Sequence, residues 1–159
     1  MSYERAYAHL QKYNAGDRIN ILEENTATVA LAALALGVEE ARIAKTLSYY
    51  VDDAVILIVC AGDVRVNGGK FKRQFGCKPK MLSFDDAEPL IGHAIGGVCP
   101  FGVNDCVRVY LDESLKRFET VFPAAGTDNS MIELTCEELE KFGEASGWVD
   151  VCKLPAELA

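Results

Sequence analysis

The chain has 159 residues, half of them hydrophobic and a quarter charged, which is the balance of one globular domain spanning residues 1–159 and excludes a disordered or fibrous chain. Its 24 acidic residues against 16 basic ones leave a net charge of -8, which excludes a protein that grips nucleic acid mainly by neutralising phosphates and argues against DNA as a partner. No apolar run reaches the roughly 18 residues of a membrane span, and the opening MSYERAYAHLQKYN lacks the apolar stretch of a secretory leader, so the expectation is a cytoplasmic protein with no membrane partner.

In chain order, residues 2–14 place Tyr3, Ala6, Tyr7, Leu10 and Tyr13 at helical spacing, and NAGD ends that helix. Arg18 to Leu22 reads as a short strand. Asn25 or Thr26 suits the cap of a second helix through the alanine-rich segment to Leu36, stopped by Gly37, with one more turn from Glu39 to Ala44. KTLSYYV and AVILIVC are strands joined at Asp52–Asp53, and DVRVN after Ala61–Gly62 reads as a third strand of a meander. Gly68–Gly69 leads into a basic helix, KFKRQFG. Lys80 to Phe84 reads as a strand, Asp85 to Ile91 as a helix capped by aspartates, CVRVYLD as a strand and ESLKRF as a helical turn. TVFPAA and SMIEL are strands around GTDN. Thr135 with Glu138 three residues later is a capping box for the last helix, and WVDVC adds an edge strand. Strands and helices without strict alternation predict an α/β architecture of the α+β type: a mixed central sheet surrounded by helices, not a doubly wound parallel one.

Four glycines and a proline crowd the eleven residues from Gly92 to Gly102. Glycine admits positive φ and lets a ligand approach bare amides, and Pro100 stiffens the turn. Such a loop holds a carbonyl oxygen or a developing oxyanion, or else it is an elaborate helix-to-strand connection; composition alone leaves the two readings level. Lys45 opens an apolar strand, where a lysine ordinarily reaches water. Turned into a pocket it orients a carbonyl, and Thr46 adds a hydroxyl.

Other signals are weaker. VNGGKFK lacks the spacing of a phosphate loop. Lys70, Lys72, Arg73, Lys78 and Lys80 form a basic cluster that is either a solvated helix face or a surface that meets a phosphate backbone. The six cysteines include no CxxC pair, and only two histidines accompany them, which speaks against a metal. Cys60 and Cys106 read as small core residues. Cys99 with His93 admits a cysteine hydrolase, with no third group to orient the pair.

Lys45-Thr46-Leu47 after an alanine-rich helix ending in Leu-Gly-Val, then Gly-Gly-Val-Cys-Pro-Phe-Gly, then Ala124-Ala125-Gly126, then Ile132-Glu133-Leu134 before a final helix form an ordered set. That set resembles the YbaK/prolyl-tRNA-synthetase-associated domain family of freestanding aminoacyl-tRNA deacylases, over most of the chain. The resemblance implies a barrel-like mixed sheet, no metal or organic cofactor, and hydrolysis of the ester joining a wrong amino acid to tRNA, of the cysteinyl- or alanyl-tRNA(Pro) class. It implies the aminoacylated 3′ end of tRNA and a prolyl-tRNA synthetase as partners. It places the family's essential lysine on Lys45 and its Gly-x-x-x-Pro loop on Gly96–Pro100, so that Lys45, Gly96 and Gly97 are the catalytic centre. Thr46, Val98, Cys99, Pro100, Gly102 and Ala124 then line the substrate site. Members often carry serine where this chain has Cys99, and some cysteine-editing members carry serine at the place of Ala124, which makes this pocket less polar. For a cysteinyl ester the resemblance implies attack by the substrate's own thiol; an alanyl ester needs water. An acidic enzyme of this kind is expected to bind naked tRNA weakly, aided by the Lys70–Lys80 stretch. A binding module holding an amino acid or nucleotide end without hydrolysis is the alternative from another class.

Overall fold

The computed structural model describes residues 2–26 and 28–155. Within those residues five α-helices surround the sheets: α1 (Ser2–Gln11), α2 (Val29–Leu36), α3 (Gly68–Phe75), α4 (Phe84–Ile91) and α5 (Cys136–Phe142). Among the described residues, no helix is long and apolar enough to cross a membrane.

The strands are β1 (Asn20–Ile21), β2 (Ile43–Val51), β3 (Ala54–Ala61), β4 (Arg65–Val66), β5 (Lys80–Met81), β6 (Arg108–Asp112), β7 (Thr120–Pro123), β8 (Ser130–Met131), β9 (Leu134–Thr135), β10 (Gly147–Val149) and β11 (Cys152–Lys153). The principal sheet runs β10-β6-β3-β2-β7-β9, with β5 joined to β2, and curls into a half-barrel. It is mixed: β2 and β3 form an antiparallel hairpin, whereas β3–β6, β6–β10 and β2–β7 are parallel. The hairpin turns at Asp52, whose φ of 54° is the left-handed conformation that Asp tolerates better than most residues. From Val55 to Ala61 β3 is buried without interruption, as a strand covered on both faces must be.

Several expected boundaries shift for local reasons. The α2 cap is Thr28, whose side chain accepts from the Leu31 amide at 3.1 Å, rather than Asn25 or Thr26. The α4 cap is Ser83, not an aspartate, and α3 starts at Gly68 under an Asn67 cap. The strand expected at Lys80–Phe84 is only Lys80–Met81, because Ser83 already turns the chain into α4. The meander does not form: the neighbours of β3 are β2 and β6, and β4 pairs with β11 in a separate ribbon. WVDVC divides between β10 and β11. The strands around GTDN do not simply pair with each other, since β8 pairs with β1 and β7 with β9, leaving the Ala124–Met131 bridge between them. The capping box of α5 forms as expected, with Thr135 and Glu138 satisfying each other's amides at 3.1 and 3.0 Å.

The outer edge of β2 positions the functional site. It pairs with β7 at Ile43 and Ala44 and with β5 at Tyr49 and Tyr50, while Leu82 N–H donates to the Ser48 carbonyl at 3.2 Å. Between these contacts, at residues 45–47, that edge has no strand beside it.

Candidate functional site

A cavity of about 330 Å³ occupies the break in the β2 edge, within the size range of small-molecule sites. Lys45 and Thr46 of β2, Gly96 and Val98 of the glycine-rich loop, and Ala124 after β7 all line it, together with Met131. Five of the residues expected from sequence therefore converge here from three distant segments. Lys45 is the only charged residue on the lining among the described residues, and no His, Cys, Asp or Glu joins it.

Lys45 and Thr46 are neighbours on β2 and differ in how their polar groups are satisfied. The Lys45 ammonium donates to the Val64 carbonyl. The nearby Asp63 is already held by Arg117 in two bonds of 2.6 and 3.1 Å, which lower its carboxyl below the usual range with a smaller pull from Lys45. Lys45 itself forms no ion pair among the described residues. The Thr46 hydroxyl is buried and has no hydrogen-bond partner among the described residues.

The glycine-rich loop divides its residues between two surroundings. Gly96 and Val98 line the cavity, and among the described residues their amides donate no hydrogen bond. Gly97 points the other way, and its amide closes a turn onto the Ala94 carbonyl at 3.0 Å. A β-carbon on Gly97 would stand 2.3 Å from the Gly126 carbonyl oxygen, so the glycine loop and the Ala-Ala-Gly segment meet backbone to backbone. Gly126 holds a φ of 101° while lying against the Ser2 carbonyl of α1.

Cys99, Pro100 and Gly102 do not reach the cavity. Cys99 is wholly buried with Sγ 3.6 Å from both His93 Nε2 and the Phe101 carbonyl, and burial pushes its thiol up to about 12. A thiolate nucleophile is therefore absent at neutral pH. Pro100 packs beside Gly143 and lines a separate polar cleft with His9 and Glu144. The Gly102 carbonyl accepts from Arg5 Nε at 2.8 Å.

Sequence reasoning assigns no bracing role to the residues that hold this loop, reading His93 as a hydrolase partner and Thr26 as a helix cap. His93 donates from Nε2 to the Phe101 carbonyl at 2.6 Å, which leaves Nδ1 to accept the Ser2 hydroxyl at 2.7 Å. Burial holds its pKa below the usual histidine value. Arg5 bonds Gly102 and Asn104, and Asn104 caps the end of α4 through the Pro89 and Leu90 carbonyls. Opposite, both the amide and the hydroxyl of Thr26 donate to the Asp128 carbonyl, and Leu22 exchanges two bonds with Asn129, which fixes the wall in front of α2. None of these contacts has a periodic signature, since each joins residues about 90 or more positions apart, apart from the local bonds of His93 and Asn104.

The site thus offers one cation, two free amides, a spare hydroxyl and an unpaired strand edge in an apolar cleft. It suits the placement of an acyl group and stabilisation of charge on its carbonyl oxygen, and it lacks a nucleophile and an acid–base pair of its own. Among the described residues no cluster of His, Cys, Asp or Glu could hold a metal ion.

Residues 23–142 match the family model of the aminoacyl-tRNA editing domain. YwhH of Bacillus subtilis, an uncharacterized protein, is 47% identical over 154 residues, covering 96% of this chain and 98% of its own. The proline–tRNA ligase of Listeria innocua is 28% identical over 109 residues, which are 68% of this chain but only 19% of the ligase. The crystal structure of a candidate trans-editing enzyme for prolyl-tRNA synthetase superposes with a TM-score of 0.86 at 30% identity, covering 96% of this chain and 97% of that one.

Proposed function

The chain belongs to the aminoacyl-tRNA editing domain family, and from that premise we propose that it is a freestanding deacylase that hydrolyses mischarged aminoacyl-tRNA, of the cysteinyl- or alanyl-tRNA(Pro) class, in trans to a prolyl-tRNA synthetase. The observation that carries this reading is the convergence of Lys45, Thr46, Gly96, Val98 and Ala124 on one cavity at the break in β2. An aminoacyl ester is already activated, so catalysis needs placement and charge stabilisation more than a strong nucleophile. In the proposed reaction Lys45 and the amides of Gly96 and Val98 hold the acyl carbonyl. Attack on its carbon, by water or by a substrate thiol, breaks the bond to the ribose oxygen, and that oxygen leaves with a proton as the free 3′ end. The buried Cys99 thiol takes no part.

The test is deacylation of cysteinyl-, alanyl- and prolyl-tRNA(Pro) by the wild type, Lys45→Ala and Cys99→Ala. The wild type should clear one mischarged ester and spare prolyl-tRNA. Lys45→Ala should lose about 10²-fold or more in kcat/KM while staying folded, and Cys99→Ala should keep its turnover. If no ester is cleaved faster than in buffer, the deacylase reading is wrong and a binding module remains.

A further inference from the structure

The cavity leaves the most unbalanced part of the sequence without a role. From Val64 to Phe84, 21 residues hold Arg65, Lys70, Lys72, Arg73, Lys78 and Lys80 and not one Asp or Glu. This is a local charge of +6 in a chain of net -8, so the other residues, with 10 basic and 24 acidic side chains, carry -14.

The fold brings this segment to the edge of the cavity. It forms β4, α3 and β5, and β5 ends on Met81, which lines the cavity and pairs with Tyr49. The Phe71 ring of α3 packs on Tyr49 at 5.0 Å and on Phe75 at 4.8 Å, and Phe75 packs on Tyr110 at 5.2 Å. With these aromatics facing inward, Lys72 and Arg73 face outward and are exposed, as are Lys78 and Lys80. Tyr49 and Lys45 share a face of β2 four residues apart, roughly 13 Å at about 3.3 Å per residue. The charges are also uncommitted. Of the six, only Lys70 makes an ion pair among the described residues, with Asp150 at 3.1 Å, whereas five of the ten basic residues elsewhere, Lys12, Arg18, Arg42, Lys116 and Arg117, are ion-paired. Lys80 lies over the Tyr50 ring. The C-terminal turn of α3 favours Lys72 and Arg73 electrostatically, but Lys78 and Lys80 lie beyond that turn.

We propose that Lys72, Arg73 and Lys78, with Lys80 next to the cavity-lining Met81, form the binding strip for the RNA phosphate backbone that leads to the aminoacylated end. This rests on the reading of the cavity given above. Unpaired cations release counterions from the phosphates they meet, and the surrounding negative charge repels RNA from every other approach, so a single strip sets both location and direction.

The experiment uses the full chain and two ligands: tRNA(Pro) carrying its amino acid through a non-hydrolysable 3′ amide, and the same aminoacyl group on adenosine without phosphates. The variants are Lys72→Gln/Arg73→Gln/Lys78→Gln and, outside the helix, Lys78→Glu alone, with Lys141→Gln as a control and a thermal melt for each. The triple variant should bind the tRNA ligand about tenfold or more weakly and lose roughly two to three units from the slope of log K against log salt. Its affinity for the adenosine ligand should stay within about twofold, and Lys78→Glu should weaken tRNA binding in the same sense while Lys141→Gln does not. An unchanged tRNA affinity and salt slope, or equal losses on both ligands, would overturn the proposal. If the wild type fails to bind the adenosine ligand and cleaves no ester, the cavity reading fails by itself, and the tRNA salt slopes of wild type and variants still decide the strip.

Discussion

A hydroxyl buried without a partner costs about 1–3 kcal/mol, and the Thr46 hydroxyl has none among the described residues. Nothing in the packing needs it there, because Val59, its cross-strand neighbour, is apolar and fully buried. Valine has nearly the same shape and no hydroxyl, so Thr46→Val should raise stability by about 1 kcal/mol, or about 2–4 °C in Tm for a chain of this size. If the hydroxyl is kept for the substrate, the same variant should lose kcat/KM toward the preferred ester, a trade between stability and activity. Thermal melts and deacylation rates measured together decide this: a destabilised variant would mean that the hydroxyl is satisfied in the folded protein. Lys45 is the contrasting neighbour, since its ammonium has a carbonyl partner in Val64 and its charge has no counter-ion among the described residues.

The glycine loop and the Ala-Ala-Gly segment work as a pair of elements. Gly97 faces the Gly126 carbonyl at a distance that a β-carbon cannot occupy, so Gly97→Ala must push the two loops apart. We expect a loss of about 1–3 kcal/mol and a drop in activity, because Gly96 and Val98 lie on either side of the displaced residue. Gly68→Ala, where a β-carbon meets nothing within 4 Å, should be neutral or stabilising; equal effects from the two substitutions in a denaturant titration would refute the docking argument. These two segments were legible in the sequence as special, and their opposition was not. Elements with local chemistry read well: Gly37 after α2, the Thr135–Glu138 box, and the hairpin at Asp52–Asp53 all follow from neighbours in sequence. Long-range pairings did not read, because a strand of two residues such as β4 or β11 has no period, and nothing in DVRVN tells whether it pairs with β3 or with the end of the chain. For the same reason Lys45 was visible as a candidate while the break in β2 that opens beside it was not. Cys99, Pro100 and Gly102 share the loop's composition with Gly96 and Val98, and only the alternation of the loop in space separates them.

At the scale of the whole molecule, His93 ties the N-terminal helix, the glycine loop and the core together, and it does so as a neutral ring. Ser2 and Phe101 take its two nitrogens, and burial, which disfavours the charged ring, lowers its pKa from 6.5. An unfolded chain accepts that proton near pH 6.5 and the folded one only at lower pH. The stability contributed by neutral His93 is therefore complete above pH 6.5 and is lost as pH falls below it, with a limiting slope of about 1.4 kcal/mol per pH unit. Asp63, Glu138 and Glu144 have carboxyls lowered by Arg117, Arg18 and Tyr13 respectively, so they also lose stabilisation on acidification, but only below their unfolded values near 4. Between pH 6.5 and 5 the acidic chain also sheds net negative charge, which relieves self-repulsion and acts in the opposite direction. A fall in Tm across that window therefore runs against general electrostatics, and its loss in a His93 variant assigns it to that ring. His93→Gln should be less stable than the wild type at pH 7, having lost the Ser2 and Phe101 bonds, and its Tm should be nearly flat from pH 7 to 5 while that of the wild type falls. Parallel curves for the two proteins would show that the ring titrates freely and that the loop is not held by its neutral form.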